Sequence, residues 1–313
     1  MPTHRIMPPQ IKADPINSEM FSRVYYKDKN ILVLVCGGTG DCKSGSSITK
    51  LWELDRGQDN EPRFYVSADP DDPNNRVVTS AQKFVKLISG KLPKGSGILW
   101  DEIGIDADNR EYYTLKNRLV KKVMQTFRHK NLIVFMTVPD FNSVDIGVRK
   151  LVHGYLEMRG QAMKGTMASG KFQWVQTNPK SGKQYFKNPR YRDKGTGIIK
   201  KLKVYYIRKP PQELEIPYKK MKEVVNAEWY KRYNVELKYM QDYIKDRDAA
   251  KGDSLMELVN MIMKNPLPYY HPIKKRFVAA LIEADPRLNM GPTKARKVAS
   301  LLNVKLARGE IVA

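Results

Sequence analysis

The stretch ILVLVCGGTGDCKSGSSITKLWEL, residues 31–54, decides the fold of this chain. Its first six residues are all apolar, which is long enough for one buried strand and too short for most helices. The glycine-rich turn GGTGDCKS follows at 37–44, and the residues after it can form a helix. Strand, glycine-rich turn, Lys-Ser and helix, in that order, predict a phosphate-binding P-loop.

The residue types of this turn suit phosphate chemistry. Its glycines let backbone N–H groups converge on phosphate oxygens, where the helix N-terminus adds partial positive charge. Lys43 can reach the β- and γ-phosphates, and the Ser44 hydroxyl can ligate magnesium. An ordinary glycine turn that binds nothing is the alternative. The predicted nucleotide contacts are Gly37, Gly38, Thr39, Gly40, Asp41, Cys42, Lys43, Ser44 and Gly45.

Cys42 departs from the motif G-x-x-x-x-G-K-[ST], which has glycine before the lysine. If this position requires a positive φ, a cysteine there is strained. The expected consequence is weaker nucleotide binding.

A second motif, KGSGILWDEIGID at 94–106, places Asp101 and Glu102 at the end of a short apolar run. A P-loop ATPase needs such a pair downstream of its phosphate loop. We expect Asp101 to hold magnesium, directly or through water, and Glu102 to orient and deprotonate the attacking water. A surface Asp-Glu pair is the alternative, but the two motifs together favour ATP and Mg²⁺ as cofactors.

The surrounding patterns indicate alternating strands and helices. RFYVSA at 63–68 and NLIVFMTV at 131–138 are predicted strands, and 79–89 and 108–130 are predicted helices. Strands and helices in alternation indicate an α/β fold with parallel strands. Thr137, at the tip of the later strand, would face the γ-phosphate.

The segment DFNSVDIGVRKLVHGYLE at 140–157 is predicted to begin as a loop and become helical near Val144. In such a helix Arg149 and His153 would share a face. Arg149 either reaches the γ-phosphate of a neighbouring subunit or is an ordinary surface arginine. His153 is expected to be structural.

Composition limits the remaining possibilities. The 313 residues fit a domain of about 200 residues and a smaller appendage. The only cysteines, Cys36 and Cys42, exclude a disulfide framework. No apolar run approaches the roughly 18 residues that a membrane helix needs, and the first residues contain no apolar signal segment. We therefore expect a cytoplasmic protein without a membrane span.

The net charge of +23 is concentrated in the second half of the chain. Residues 1–160 contain 24 basic and 19 acidic side chains, whereas residues 161–313 contain 32 and 14. This asymmetry predicts a polyanionic partner, of which nucleic acid fits best. Charge that only promotes solubility, or an anionic membrane surface, is the alternative.

Residues 161–209 contain 13 basic residues and one acid, with aromatic residues between them. FQWVQTNPKSGKQYF at 172–186 predicts a hairpin, and 202–207 predicts a further strand. Basic side chains follow phosphates and aromatic faces stack on bases, although the aromatics could instead pack on the core. The predicted DNA contacts here are Trp174, Lys180, Lys183, Tyr185, Lys187 and Arg190.

The last part of the chain is predicted to be helical and to resemble a helix-turn-helix module. Its final helix, within 285–304, is basic on one side, where Lys294, Arg296 and Lys297 are predicted DNA contacts. Many such bundles bind protein instead. The predicted domains are an N-terminal arm at 1–29, an ATPase core at 30–217 with the basic hairpin inserted at 161–200, a connecting helix at 218–250 and the helical domain at 251–313.

The P-loop, PKGSGILWDE, QTFRHKN, IVFMTVP and VDIGVRKLVHGYLE occur in an order that resembles ATPases of the HerA–FtsK superfamily, particularly the zonular-occludens-toxin-like and virus DNA-packaging branches. The resemblance covers about residues 30–217. It implies a P-loop (RecA-like) ATPase core with a mainly parallel sheet. It also implies nucleotide and magnesium contacts by Lys43 and Ser44, magnesium binding by Asp101 and a base at Glu102.

The same resemblance places Thr137 in the sensor region, where the family usually has glutamine, and Arg149 at the arginine of the "Ile-Arg" segment. The missing glutamine and the cysteine in the loop put the rate of hydrolysis in doubt more than binding. The sequence predicts an α/β fold: this core, a basic β-hairpin insertion and a small C-terminal all-helical unit.

The leading functional hypothesis is a ring-forming, ATP-driven motor that translocates or packages double-stranded DNA for a virus or mobile element. Such a homo-oligomer would work in the host cytoplasm or with the virion, where a capsid or nuclease could be its partner. The alternative is an ATP-switched DNA-binding protein in replication, partition or regulation, without processive movement. A small-molecule kinase is disfavoured because it leaves the basic half unexplained.

Overall fold

The computed structural model of the chain describes residues 6–102, 127–193, 195–288 and 290–311. The chain divides into two compact units, Met1–Ala227 and Glu228–Ala313. The predicted helix at 108–130 lies outside the described residues except for its end, where Phe127–Lys130 forms a 3-10 turn.

The first unit is a mixed α/β structure around a mostly parallel sheet. The sheet contains eight strands among the described residues, in the order β10-β6-β5-β1-β4-β3-β2, with β7 beside β6. Five neighbouring strands are parallel, and β6, β7 and β10 extend the sheet in antiparallel fashion. The strands are β1 (Ile31–Cys36), β2 (Val77–Val78), β3 (Gly97–Trp100), β4 (Ile133–Val138), β5 (Gly154–Ala162), β6 (Met167–Thr177), β7 (Gln184–Lys187) and β10 (Tyr205–Arg208). A separate antiparallel pair is formed by β8 (Arg190–Arg192) and β9 (Ile199–Lys201).

The apolar runs of the sequence become the interior of this sheet. Every residue of β1, β3 and β4 is buried, because helices cover both faces of a parallel sheet. Helix α3 (Lys43–Leu54) packs against all three strands. Helix α4 (Ala81–Ser89) buries Phe84, whose ring stacks on Trp100 at 4.5 Å between centroids. This arrangement is consistent with the predicted P-loop core and brings the carboxyl ends of β1, β4 and β3 side by side.

The prediction of an N-terminal arm over 1–29 is wrong for the described part of that segment. Helices α1 (Pro9–Ala13) and α2 (Pro15–Phe21) and a π-helical turn (Ser22–Tyr26) pack on the first unit. Phe21 is fully buried. Asp14 caps α2 and accepts hydrogen bonds from Lys50 Nζ and the Tyr205 hydroxyl. The prolines suggested a loop, but Pro9 and Pro15 each stand at a first helical position, where a missing N–H costs nothing.

The predicted strand at 63–68 is also wrong, and the second strand of the sheet is β2 instead. The predicted helix through His153 ends early: α5 (Ile146–Arg149) is a single turn, and β5 starts at Gly154. Short apolar runs fit both helix and strand, and here pairing with β1 and β6 decides. His153 is structural as expected, since its Nδ1 accepts the N–H of Leu32 at 3.1 Å.

Three strands of the basic segment, β6, β7 and β10, belong to the central sheet, whereas β8 and β9 form a pair of their own. β6 pairs with β5 on one side and with β7 and β10 on the other. These strands therefore continue the central sheet, and they do not form a separate hairpin inserted at 161–200 as predicted. The predicted strand at 202–207 corresponds to β10.

The second unit contains the end of a long helix and two shorter ones. Helix α6 (Gln212–Met263) begins before the connecting helix predicted at 218–250, so 212–217 is helical as well. It is followed by a small pair of strands, β11 (Tyr270–His271) and β12 (Arg276–Phe277), and then by α7 (Ala279–Glu283) and α8 (Pro292–Ala307). Phe277, Ile282 and Leu302 are central in its own core. Across the described ranges, no helix is both long and apolar enough to cross a bilayer.

Candidate functional site

The loop between β1 and α3 has a positive φ at two positions. Cys42 has φ 62° and ψ 25°, in the left-handed region, and is the N-terminal cap residue of α3. Gly40 has φ 87°. The condition stated for residue 42 therefore holds: the position has a positive φ, and a cysteine there is strained by about 1–3 kcal/mol.

The loop satisfies its own charged and polar groups. Lys43 Nζ donates to the carbonyl oxygens of Gly37 at 2.8 Å and Gly38 at 2.7 Å. The backbone N–H of Gly38 donates to Asp41 Oδ2 at 2.5 Å. A carboxylate of the chain thus occupies one of the N–H donors that a phosphate oxygen would use.

Asp101 lies at the end of β3 and is fully buried, with 0% of its surface exposed. Its Oδ1 accepts a hydrogen bond from the Ser44 hydroxyl at 2.6 Å and from the Thr137 hydroxyl at 2.7 Å. These residues come from three elements that the strand order brings together: α3 after β1, β3 and β4. The structure therefore unites Ser44, Asp101 and Thr137 as the sequence motifs suggested.

Glu102 follows directly and is held by the same threonine. Its backbone N–H donates to Thr137 Oγ1 at 2.7 Å, and its φ of 55° is left-handed. The side chain is 43% exposed, so its carboxylate is open to water. Thr137 thus positions both acids. A role in sensing the γ-phosphate stays a prediction.

Tyr218 and Lys222, near the start of α6, complete the site, and the sequence analysis missed both. The Tyr218 hydroxyl donates to Asp101 Oδ2 at 2.7 Å. Lys222 Nζ lies 3.1 Å from Asp101 Oδ2 and 2.6 Å from Glu102 Oε2. The four-residue spacing places both side chains on one face of the helix. In the sequence, however, this helix has balanced charge and is predicted only to connect two domains, so nothing singles out either residue.

The electrostatics of the cluster favour a charged acid and a charged base. Burial by itself raises the pKa of Asp101, but the Lys222 charge and hydrogen bonds from Ser44, Tyr218 and Thr137 outweigh it and lower that pKa. Burial opposes the charge of Lys222, yet Asp101 and Glu102 raise its pKa above the ordinary value. Burial, then the Asp101 charge, raises the pKa of Tyr218 well above normal. At neutral pH the cluster therefore contains a carboxylate, an ammonium and a neutral phenol.

The donor set fits a magnesium ion. Hydroxyl and carboxylate oxygens are the ligands that Mg²⁺ prefers, and Ser44 and Asp101 supply them beside the phosphate loop. The ammonium of Lys222, within 3.1 Å of Asp101 and 2.6 Å of Glu102, shows that this pair of acids accommodates a cation.

Arg149 lies apart from this cluster. Its Nη1 donates to Asn142 Oδ1 at 3.1 Å, and its guanidinium lies 5.0 Å from the centre of the Phe141 ring. Both partners follow β4 along the chain. The two interpretations of Arg149 given above remain predictions.

The basic aromatic segment forms a surface at the antiparallel side of the sheet. Trp174 of β6 is opposite Lys187 of β7, and both line a cleft of about 670 Å³ together with Arg190. Phe172 and Tyr205 point into the core, as the alternative interpretation required of some aromatics. The exposed predicted DNA contacts are Lys180, Lys183, Tyr185, Lys187 and Arg190.

The final helix of the second unit is amphipathic in the expected way. Ala295 and Val298 are buried, whereas Lys294, Arg296 and Lys297 are exposed. Whether they contact DNA stays a prediction.

Comparison with known proteins adds little to these observations. No protein-family model and no curated protein matches the chain. A solved structure similar to it is the N-terminal domain of zonular occludens toxin from Neisseria meningitidis, at 15% identity over 53% of this chain and 96% of that one, with a TM-score of 0.29. A TM-score of that size carries no argument about fold or function.

Replacing Cys42 with glycine should relieve the strain in the loop. We expect the free energy of unfolding to rise by about 1 kcal/mol, because glycine adopts a positive φ without penalty. Nucleotide should bind more tightly or turn over faster. Chemical denaturation and nucleotide titration measure both effects.

Gly40→Ala is the matched control. A Cβ at Gly40 meets no atom within 4 Å, so only its φ of 87° opposes alanine, and stability should fall. If Cys42→Gly leaves stability and nucleotide affinity unchanged, the cysteine is not strained.

Proposed function

We propose that the first unit binds ATP with Mg²⁺ and hydrolyses it. The observation that carries this proposal is the 2.6 Å hydrogen bond between the Ser44 hydroxyl and Asp101. It joins the phosphate loop to the acidic strand end, two features that the sequence places far apart. An ordinary glycine turn that binds nothing does not require a contact with a buried carboxylate.

The chain supplies a phosphate-binding lysine, magnesium ligands and a base for phosphoryl transfer to water. Lys43 leaves the carbonyls of its own loop and pairs with the β- and γ-phosphates. Ser44 and Asp101 would hold a magnesium ion, which would supply positive charge to neutralise the phosphates. Glu102 is the base: its half-exposed carboxylate accepts a proton from the attacking water, and Thr137 fixes its backbone.

We further propose that nucleic acid is the polyanionic partner. The support is the charge of residues 161–209, 13 basic against one acidic residue, and the cleft beside Trp174. Lys171 and Lys201 also line this cleft, and Glu19 is its one acidic lining residue. Among the described residues, no acceptor lies within hydrogen-bond reach of the buried Trp174 indole N–H. Cations around an aromatic ring suit a phosphate backbone with stacked bases.

A homo-oligomeric ATPase that is stimulated by DNA and moves or packages it would use both sites. Such a protein would be of the HerA–FtsK type and of viral or mobile-element origin. The second candidate is an ATP-switched DNA-binding protein. The strain at Cys42 and the side chains of α6 on the acidic pair favour slow turnover, which suits a switch.

Glu102→Gln tests the chemistry. Removing the base should reduce turnover by about 10²–10⁴-fold while ATP and Mg²⁺ still bind, because general base catalysis contributes that much. Lys43→Ala should weaken binding itself. Phosphate release and equilibrium binding separate the two effects.

The matched control is Glu223→Gln, an exposed glutamate on α6 that should change neither quantity. Turnover by Glu102→Gln at the wild-type rate would show that another group is the base.

Neutralising the basic surface tests the partner. The affinity for duplex DNA should fall, and each lost phosphate contact should reduce the log–log salt slope by about 0.9. ATP binding without DNA should persist. Trp174→Ala and Tyr185→Ala should act mainly on single strands, where stacking contributes roughly 1–3 kcal/mol per base. The residues to neutralise are Lys180, Lys183, Lys187 and Arg190.

A second variant, in which Lys294, Arg296 and Lys297 are neutralised instead, is compared with the first. An unchanged salt slope in the first variant and a reduced slope in the second would assign DNA binding to α8.

The motor and the switch differ in two measurements. A motor requires ATP turnover that rises strongly with double-stranded DNA and a closed ring when a nucleotide analogue is bound. Unstimulated turnover by a monomer or dimer would favour the switch.

A further inference from the structure

Lys222 bridges Asp101, to which we assign magnesium binding, and Glu102, to which we assign activation of the attacking water. One ammonium nitrogen lies 3.1 Å from Asp101 Oδ2 and 2.6 Å from Glu102 Oε2, and only 18% of the lysine side chain is exposed. Tyr218 adds a hydroxyl to the same Asp101 oxygen. A single positive charge shared between two carboxylates is the arrangement expected of a bound cation.

The phosphate loop shows the opposite charge. The Asp41 carboxylate accepts the Gly38 N–H, and Lys43 is directed to loop carbonyls instead of outward. A nucleotide with its cation brings an anion to the loop and a cation to the acids. In this structure the chain's own charges occupy both positions: Asp41 accepts the N–H of the loop, and Lys222 neutralises the two acids.

The helix segment that carries Lys222 is well anchored. Met221 is fully buried, and its Sδ lies 3.3 Å from Asn75 Nδ2. Val225, one turn later, is also buried. Pro217, directly before this segment, has no N–H to continue the helical hydrogen bonds, which is where helices bend. The segment from Tyr218 therefore has a fixed contact and an adjacent bending point.

We propose that Lys222, supported by Tyr218, is an internal counterion that holds the acidic pair in the nucleotide-free protein and is displaced when nucleotide binds with its cation. This inference rests on the proposed nucleotide site. A magnesium ion and the Lys222 ammonium on the same carboxylates would repel each other, because like charges a few Å apart interact strongly in a buried site. A buried Asp101 without any cation is also unfavourable. Binding is therefore an exchange of one cation for another.

Lys222→Met tests the exchange. The probe is ATPγS, titrated by calorimetry in Mg²⁺ and separately in EDTA. In Mg²⁺ the affinity should rise by about tenfold or more, because the competing ammonium is gone. In EDTA it should stay the same or fall, since the uncompensated acids repel phosphate. The ratio of the two dissociation constants should therefore increase.

Lys219→Met is the matched control. Lys219 lies on the same helix, is exposed and pairs with Glu215 at 2.6 Å. Its removal should leave both dissociation constants and their ratio unchanged. Tyr218→Phe, which removes one hydrogen bond and keeps the ring, should change the ratio in the direction of Lys222→Met by a smaller factor, and it covers the case in which Lys222→Met does not fold.

Thermal unfolding gives a readout that does not depend on turnover. Without nucleotide, Lys222→Met should melt below the wild type, because two acids lose their counterion. Mg²⁺ with ATPγS should abolish this difference, because the bound cation then replaces the missing ammonium. A merely structural lysine would leave the variant less stable under both conditions.

Three results would overturn the proposal. Equal loss of affinity in Mg²⁺ and in EDTA would mean that Lys222 only supports the fold. Unchanged affinity with lost turnover would make it a catalytic residue. If the wild type binds no ATPγS in either buffer while Lys222→Met still melts early, the proposed nucleotide site itself is wrong.

Discussion

The buried carboxylate of Asp101 is the constraint on which the first unit depends. An ionised group removed from water must be compensated by charge and hydrogen bonds, or it destabilises the fold by several kcal/mol. Ser44, Thr137, Tyr218 and Lys222 provide that compensation from α3, β4 and α6. The carboxylate therefore requires three elements, distant in sequence, to meet at the end of β3. The adjacency of β1, β4 and β3 and the docking of the start of α6 both satisfy this requirement.

The features that the sequence predicted well are those with local causes. An all-apolar run needs a sheet covered on both faces, so β1, β3 and β4 could be located. The motif made a positive φ at residue 42 a condition for strain, and the structure meets that condition. The Asp-Glu pair was recognisable because it ends a short buried strand. The contact between Ser44 and Asp101 depends on the strand order, which the sequence patterns do not specify.

The features that the sequence did not predict depend on tertiary contacts. Prolines at 9 and 15 fit a loop as well as the first turn of a helix, and only burial of residues such as Phe21 distinguishes the two. The sequence predicts a helix over the start of β5, residues 154–157, because the apolar residues there fit both periods, and pairing with β1 decides. Lys222 belongs to a helix with balanced charge, so no pattern in the sequence indicates that it contacts the end of β3. Sequence patterns identify the acids of this site but not the base that neutralises them.

The two proposed sites lie on one hydrogen-bonded sheet. The phosphate loop follows β1, which pairs with β5, and β5 pairs through β6 with the basic strand β7. The contact nearest the loop is specific: the register of β5 shifts between Met158 and Gln161, and a Cβ at Gly160 would lie 3.4 Å from Asp41 Oδ1. Bulges of this kind occur next to functional sites. Asp41 also occupies the Gly38 N–H, a donor that we propose for a phosphate. A nucleotide that displaced Asp41 would therefore act next to β5, which is joined through β6 to β7, so one hydrogen-bonded sheet connects the two proposed sites.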